Sequence, residues 1–174
     1  RADFLDPVLR ARMDGAFLSR DQAKQVAMTF LLGTGLLPSN AVFRSVADNT
    51  QGASVMSVGF GRREGDIDFR GPGARIIVDV GRGGHIVRVR KAWQMLKARP
   101  PVVVKRPEVA LYDAMAGGGP FGQKSGRITR MEVVYYSDVD PQVVVYPWYY
   151  CHGEDSHGRR FEGRVPAVDQ ATAR

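Results

Sequence analysis

The chain holds one cysteine, Cys151, and three histidines in 174 residues. A single thiol excludes an internal disulfide and any site that needs several thiolates, and it leaves the redox compartment open. A long hydrophobic run is missing too. A membrane-spanning helix takes about 20 apolar residues, and the longest candidate, Val26 to Leu37, is interrupted by Thr29, Gly33, Thr34 and Gly35. Lysine is scarce. Only Lys24, Lys91, Lys97, Lys105 and Lys124 occur, so the net charge of +7 rests mostly on arginine. Such a charge bears on solubility and on non-specific attraction to nucleic acid, phospholipid or acidic polymers, not on fold. The chain opens at Arg1 rather than at a methionine, as a processed product or a fragment would, so a targeting segment could already have been removed and its absence carries no information on compartment.

What is present is ordinary for a folded protein. Apolar residues make up 44% and charged residues 25%, far from the composition of disordered chains. The length suits one domain or two small ones, with enough material for a core that needs no disulfide or metal staple.

Residues 1–17 mix charged and apolar positions without a firm period and read as a leader. Ser19 followed by Gln22 is a capping-box pattern, and Ala23, Val26, Ala27, Phe30 and Leu31 share one helical face before Gly33 and Gly35. A first helix is predicted from about Arg20 to Leu32. After Pro38 the period changes to two, giving strands over Val42 to Ala47 and Ser54 to Arg62. Glu64 to Gly73, rich in glycine, proline and aspartate, reads as a connection. Arg75 to Val80 and His85 to Lys91 flank Gly81-Arg82-Gly83-Gly84 and predict a hairpin. Arg99-Pro100-Pro101 breaks the pattern. Pro107 with Glu108 opens a second helix to about Ala116. Three strands follow: Arg127 to Tyr136, Val143 to His152 and Arg159 to Val165. No βαβ alternation occurs, so the expectation is an α+β fold with two related units, each a helix packed on an antiparallel sheet. The expected boundaries are 18–98 for the first unit, 99–168 for the second, shorter one, and 169–174 for a loose tail.

Two segments carry a resemblance. "LSRDQAKQVAMTFLLGTGLL", Leu18 to Leu37, is similar to the opening helix of PepSY-like and protease-propeptide-type domains. "VGFGRREGDIDFRGPGARIIVDVGRGGHIVRVRKAWQML", Val58 to Leu96, looks like that group's strand, polar turn, glycine-turn hairpin and following tryptophan. The second half repeats this order loosely through "ITRMEVVYYSD", "VVVYPWYYCHG" and "GRRFEGRVPAV", so the resemblance covers about Leu18 to Val168. It implies tandem cystatin-like units and an extracytoplasmic module, secreted, periplasmic or membrane-tethered, that inhibits, assists or regulates a partner protein such as a peptidase or a sensor. It brings no catalytic residues with it.

The chemistry-bearing clusters are each better explained by structure. "GGPFGQKS", Gly118 to Ser125, has Gln123 where a phosphate loop needs glycine, and it links a helix to a strand instead of the reverse. Cys151, His152, Glu154, Asp155 and His157 form the densest group of candidate ligands, yet their spacing matches no established zinc site. Cys151 and His152 are strand neighbours that point to opposite faces, which excludes a simple dyad. Asp66 and Asp68 sit in a turn-rich stretch near Arg62, Arg63 and Arg70 and read as solvated turn carboxylates. Arg88 and Arg90, with Arg62 and Arg75 on nearby strands, make a candidate anion-binding patch without the interleaved aromatics that nucleic-acid binders use for stacking.

The aromatic final strands carry the strongest functional signal. On a strand, Val143, Val145, Pro147, Tyr149 and Cys151 share one face, while Val144, Tyr146, Trp148, Tyr150 and His152 share the other. One face needs cover from a second element or from a partner. Tyr146, Trp148, Tyr149 and Tyr150 are therefore the candidate partner-binding residues. The expected role is a non-catalytic, protein-binding module with no cofactor, no metal and no catalytic residue. The alternatives are a basic module for an anionic polymer such as nucleic acid and, third, a metal-dependent enzyme using the Cys151 to His157 loop.

Overall fold

A computed structural model describes residues 15–48, 55–116, 126–138, 140, 142 and 144–169. The chain divides into two compact units. The first is Arg1–Arg63 with Pro72–Trp93, and the second is Glu64–Gly71 with Gln94–Arg174.

The first unit is built from helix α1 (Arg20–Gly33) and strands β1 (Ala41–Asp48), β2 (Val55–Glu64), β4 (Ala74–Gly81) and β5 (Ile86–Trp93); the second contains β3 (Ile67–Arg70), which precedes β4 in sequence. α1 starts where the capping box places it. The Gln22 backbone N–H donates to Ser19 Oγ at 3.2 Å, and the Ser19 N–H donates to Gln22 Oε1 at 2.8 Å. The helix buries Ala23, Ala27 and Leu31 against Val58, Phe60, Ile76, Val78 and Val80, with Val26 and Phe30 partly buried beside them. The two alanines keep the helix close to the sheet, so the contact is made by sheet side chains reaching up to it. Truncating a core residue such as Phe60, 2% exposed, should cost about 3–5 kcal/mol by transfer and cavity terms. β1 pairs β2, β2 pairs β4 and β4 pairs β5, all antiparallel. The β4–β5 hairpin is the one expected across the glycine turn. Its turn, Arg82–Gly84, has Gly83 at φ 66° and Gly84 at φ 84°, a region that side chains with a Cβ rarely enter.

The second unit contains β3, helix α2 (Pro107–Ala116) and strands β6 (Gly126–Tyr136), β7 (Pro147–Asp155) and β8 (Arg160–Pro166). β3 runs parallel to β6, whereas β6–β7 and β7–β8 are antiparallel. A second core forms from Ala110, Tyr149, Cys151, Val165 and Ala167, with Ala114, Ile128, Met131 and Val133 packed against it. Gly153 is required there, because a Cβ on it would fall on the Phe161 ring and lie 2.7 Å from the Arg127 carbonyl oxygen.

These strands correct the expected fold class. The described structure is mostly mixed β-sheet, eight strands with only two short helices, 47% strand against 20% helix, and not two helix-on-sheet α+β units. Two physical reasons stand out. α2 is only ten residues long and turns Pro107, Ala110, Leu111 and Ala114 inward, but of these only Ala110 is fully buried while Val109, Tyr112 and Met115 stay exposed; a stripe of small residues this short covers little of a sheet. The stretch read as a connection also hides β3. Ile67 and Phe69 alternate with Asp68 and Arg70, and Phe69 is buried at 6% exposure, but the flanking glycines and Pro72 masked that period. No described helix is long and apolar enough to cross a membrane.

Candidate functional site

Strand alternation sorts the last sheet into two faces. Pro147, Tyr149, Cys151 and Gly153 are buried, while Trp148, Tyr150, His152 and Glu154 are half-buried on the opposite side. Tyr149 is therefore a core residue, 5% exposed, with its hydroxyl donating to the Lys105 carbonyl at 2.6 Å. Trp148 and Tyr150 face the other way. Tyr146 is half-buried and precedes the strand, and Val143 lies outside the described residues.

Register adds neighbours that sequence reading did not single out. Tyr150 lies between Glu132 on β6 and Arg164 on β8, His152 between Arg130 and Glu162, and Trp148 between Val134 and Pro166. β3 adds Arg70 beside Tyr136. The face turned from the core is thus a lattice of rings, cations and carboxylates. Arg70 donates to Glu132 at 2.7 Å and Arg130 to the other oxygen at 2.8 Å. Tyr150 donates to Glu162 at 2.6 Å, and His152 Nδ1 lies 3.3 Å from that carboxylate. The Tyr150 and His152 rings meet edge to face at 5.2 Å. Arg164 stacks its guanidinium 3.5 Å from the Tyr136 ring centre and 5.2 Å from that of Trp148, and Arg70 sits 5.3 Å over Tyr150. Burial and the Glu162 carboxylate push the Tyr150 hydroxyl up to about 12. At Glu132, burial works against ionisation, but the Arg70 hydrogen bond with the Arg70 and Arg130 charges outweighs it and holds the carboxyl below its ordinary 4.5.

The four candidate anion-binding arginines do not form one patch. Alternation puts Arg62 on the core side of β2, where it is 8% exposed with its guanidinium 5.9 Å from the Trp93 ring centre. Arg75, Arg88 and Arg90 project from the opposite side. Arg88 and Arg90 both reach Asp79, at 2.8 and 3.4 Å, and the Asp79 side chain is 3% exposed. Ser57 donates to the same carboxylate at 2.6 Å. Burial alone would raise the Asp79 carboxyl, yet Ser57, Arg88 and Arg90 together hold it below its ordinary 3.8. Two of the arginines therefore already have an internal anion.

The Cys151 to His157 segment is likewise spread out. Cys151 is fully buried and burial pushes its thiol up to about 11, far from a thiolate nucleophile. His152 is on the other face and His157 is exposed. Asp155 accepts from the His157 and Arg159 backbone N–H groups, both at 2.9 Å, and from Arg159 Nε at 2.8 Å, which makes it the cap of the β7–β8 turn. Among the described residues no three His, Cys, Asp or Glu side chains are grouped to hold a metal ion. Asp66 is exposed in the turn after β2, while Asp68 is half-buried on β3. Gly118 to Ser125 lies outside the described residues.

No protein-family model, characterised protein or solved structure matches the chain. Nothing there identifies a PepSY-like or propeptide-type domain.

Proposed function

We propose that this chain is a non-catalytic protein-binding module whose docking surface is the face of the second sheet turned from its core. One observation carries the reading: Trp148, Tyr150 and Tyr136 lie half-buried on that face, interleaved with arginines, while the opposite face of the same strand fills the core. Large rings held by stacked guanidinium groups offer much contact area with few rotamers to freeze, the composition of interface hot spots. Its effect on the partner is inhibitory, assisting or otherwise regulatory. The resemblance noted in the sequence puts such a module outside the cytoplasm, and that location belongs to the same proposal.

Selection of displayed peptides on the immobilised protein tests it. Enrichment on the native chain that collapses on Trp148→Ala is the expected result. Equal enrichment on both proteins would move the surface elsewhere. No enrichment, together with steeply salt-dependent binding of RNA or polyphosphate, would replace the reading with the anionic-polymer alternative.

A further inference from the structure

Arg164 reaches far from the strand that carries it. The residue lies on β8 opposite Tyr150 of β7, yet its guanidinium carbon sits 5.2 Å from the Trp148 ring centre on β7 and 3.5 Å from that of Tyr136 on β6. The side chain therefore runs inward across the face and ends over the inner strands of the sheet. At 3.5 Å the contact with Tyr136 has to be face to face. With C–N bonds of about 1.33 Å, a guanidinium standing on edge would drive a nitrogen to roughly 2–3 Å from the ring.

Stacking leaves the in-plane N–H donors unspent. Arg70 and Arg130 give theirs to Glu132, whereas Arg164 makes no ion pair or hydrogen bond among the described residues and touches only the two rings. None of its nitrogens is a buried atom left without a partner, so each reaches solvent. A guanidinium held flat with its donors idle is a preorganised fork, and a carboxylate fills it with two parallel hydrogen bonds. The surroundings narrow the ligand further. Glu162, its side chain 58% exposed, lies two residues along β8 on the same face and repels a second acid. Trp148 and Tyr136 offer apolar contact beside the fork.

We infer that the partner anchors on this face through a single Asp or Glu side chain, seated on the Arg164 fork above the inner strands and flanked by apolar side chains that rest on Trp148 and Tyr136. The inference rests on the protein-binding reading above and names the chemistry of the partner. It distinguishes one acid among apolar neighbours from a run of negative charges, which Glu162 opposes.

The displayed-peptide selection, run in parallel on the native chain and on Arg164→Gln, tests it. Peptides enriched on the native chain should share one Asp or Glu among apolar residues, and those enriched on the variant should lack it. The leading native-selected peptide is then labelled with fluorescein and compared with a twin in which that acid is replaced by its amide. Fluorescence polarisation should show the acid form binding the native chain roughly tenfold or more tightly, the worth of a charge-assisted hydrogen bond. Arg164→Gln should erase that difference, and Arg164→Lys, which keeps charge but loses the fork and the stack, should restore only part of it. If the glutamine variant loses its native circular dichroism, Arg164→Lys decides, and an undiminished preference for the acid there would overturn the inference. Selected peptides without a shared acid, or an amide twin that binds equally well, would also overturn it, while loss of their binding on Trp148→Ala would leave the protein-binding reading standing. A preference for the acid that persists in a folded Arg164→Gln would take the carboxylate away from Arg164. Runs of acids with steeply salt-dependent binding would overturn the single-acid inference in favour of the anionic-polymer alternative. No enrichment on the native chain would overturn the inference and the protein-binding reading together.

Discussion

Each of the two sheets turns a polar face away from its core, and each face has one recessed acid holding two arginines. In the first, Asp79 takes Arg88 and Arg90; in the second, Glu132 takes Arg70 and Arg130. The resemblance stops there. Along β2 and β4 the first face presents Ser57, Gly59, Gly61, Arg75, Ile77 and Asp79, with no aromatic ring, and its central carboxylate is 3% exposed. The second adds Tyr136, Trp148 and Tyr150, and Arg164, which makes ring contacts and no ion pair among the described residues. Counting arginines would have ranked the first face as the anion site. Accounting for which carboxylates those arginines already hold reverses the order, because a paired guanidinium has little left to offer a ligand.

The largest expected effect of breaking this contrast is on stability. Asp79→Ala strips two cations and a serine of their shared acceptor, and should lower the unfolding free energy by about 2–4 kcal/mol in urea titrations. Glu132→Ala, at a site 21% exposed, should cost about 1–2 kcal/mol because water replaces more of what is lost. Equal costs would mean that the two acids do the same job.

Next in size is binding. Trp148→Ala should weaken association with a selected peptide by about 1–2 kcal/mol or more while leaving the circular dichroism spectrum and melting curve intact. Arg88→Ala should leave that affinity unchanged. An equal loss from both would merge the faces functionally.

A smaller effect lies in the acid limb. Both carboxyls have folded values below their unfolded ones, so each contributes stability above the unfolded value that is lost as pH falls through the folded value. Unfolding free energy should therefore decline as pH drops below 4.5 for Glu132 and again below 3.8 for Asp79. Asp79→Asn should flatten the lower part of that decline and leave the upper part. A native-like slope below 3.8 in that variant would remove Asp79 from the account.

The smallest effect concerns the exposed ends of the first pair. The Arg88 and Arg90 side chains are 60% and 50% exposed, so each single alanine substitution should change stability by no more than about 0.5 kcal/mol.

Local signals in the sequence were legible where one element decided them. The Ser19–Gln22 box, the apolar face of α1, the glycine-turn hairpin and the alternation that separates Tyr149 from Trp148 all follow from spacing alone. Pairing between distant strands was not legible. β3 is four residues long inside a glycine-rich stretch, and its parallel partner β6 comes far later in the chain, so nothing local announces it. The same limit hid the site. Trp148 and Tyr150 were visible as outward aromatics, but Arg164 and Arg70 become their neighbours only through β8 and β3 register. Counting back through the β7–β8 hairpin from its Asp155 turn would have placed Arg164 opposite Tyr150. Counting through the predicted β4–β5 hairpin would likewise have set Arg88 opposite Asp79, and only Ser57, which comes from β2, lay beyond local reach.

The two tryptophans report on the two units separately, Trp93 in the first and Trp148 in the second. Replacing one at a time by phenylalanine gives two proteins with a single emitter each, and a peptide selected on the native chain can be titrated into both. The account predicts a saturable change in emission from the Trp93→Phe protein, in which Trp148 alone emits. It also predicts a flat response from Trp93 in the Trp148→Phe protein. A saturable change in Trp93 emission with none in Trp148, or no change in either, would contradict it.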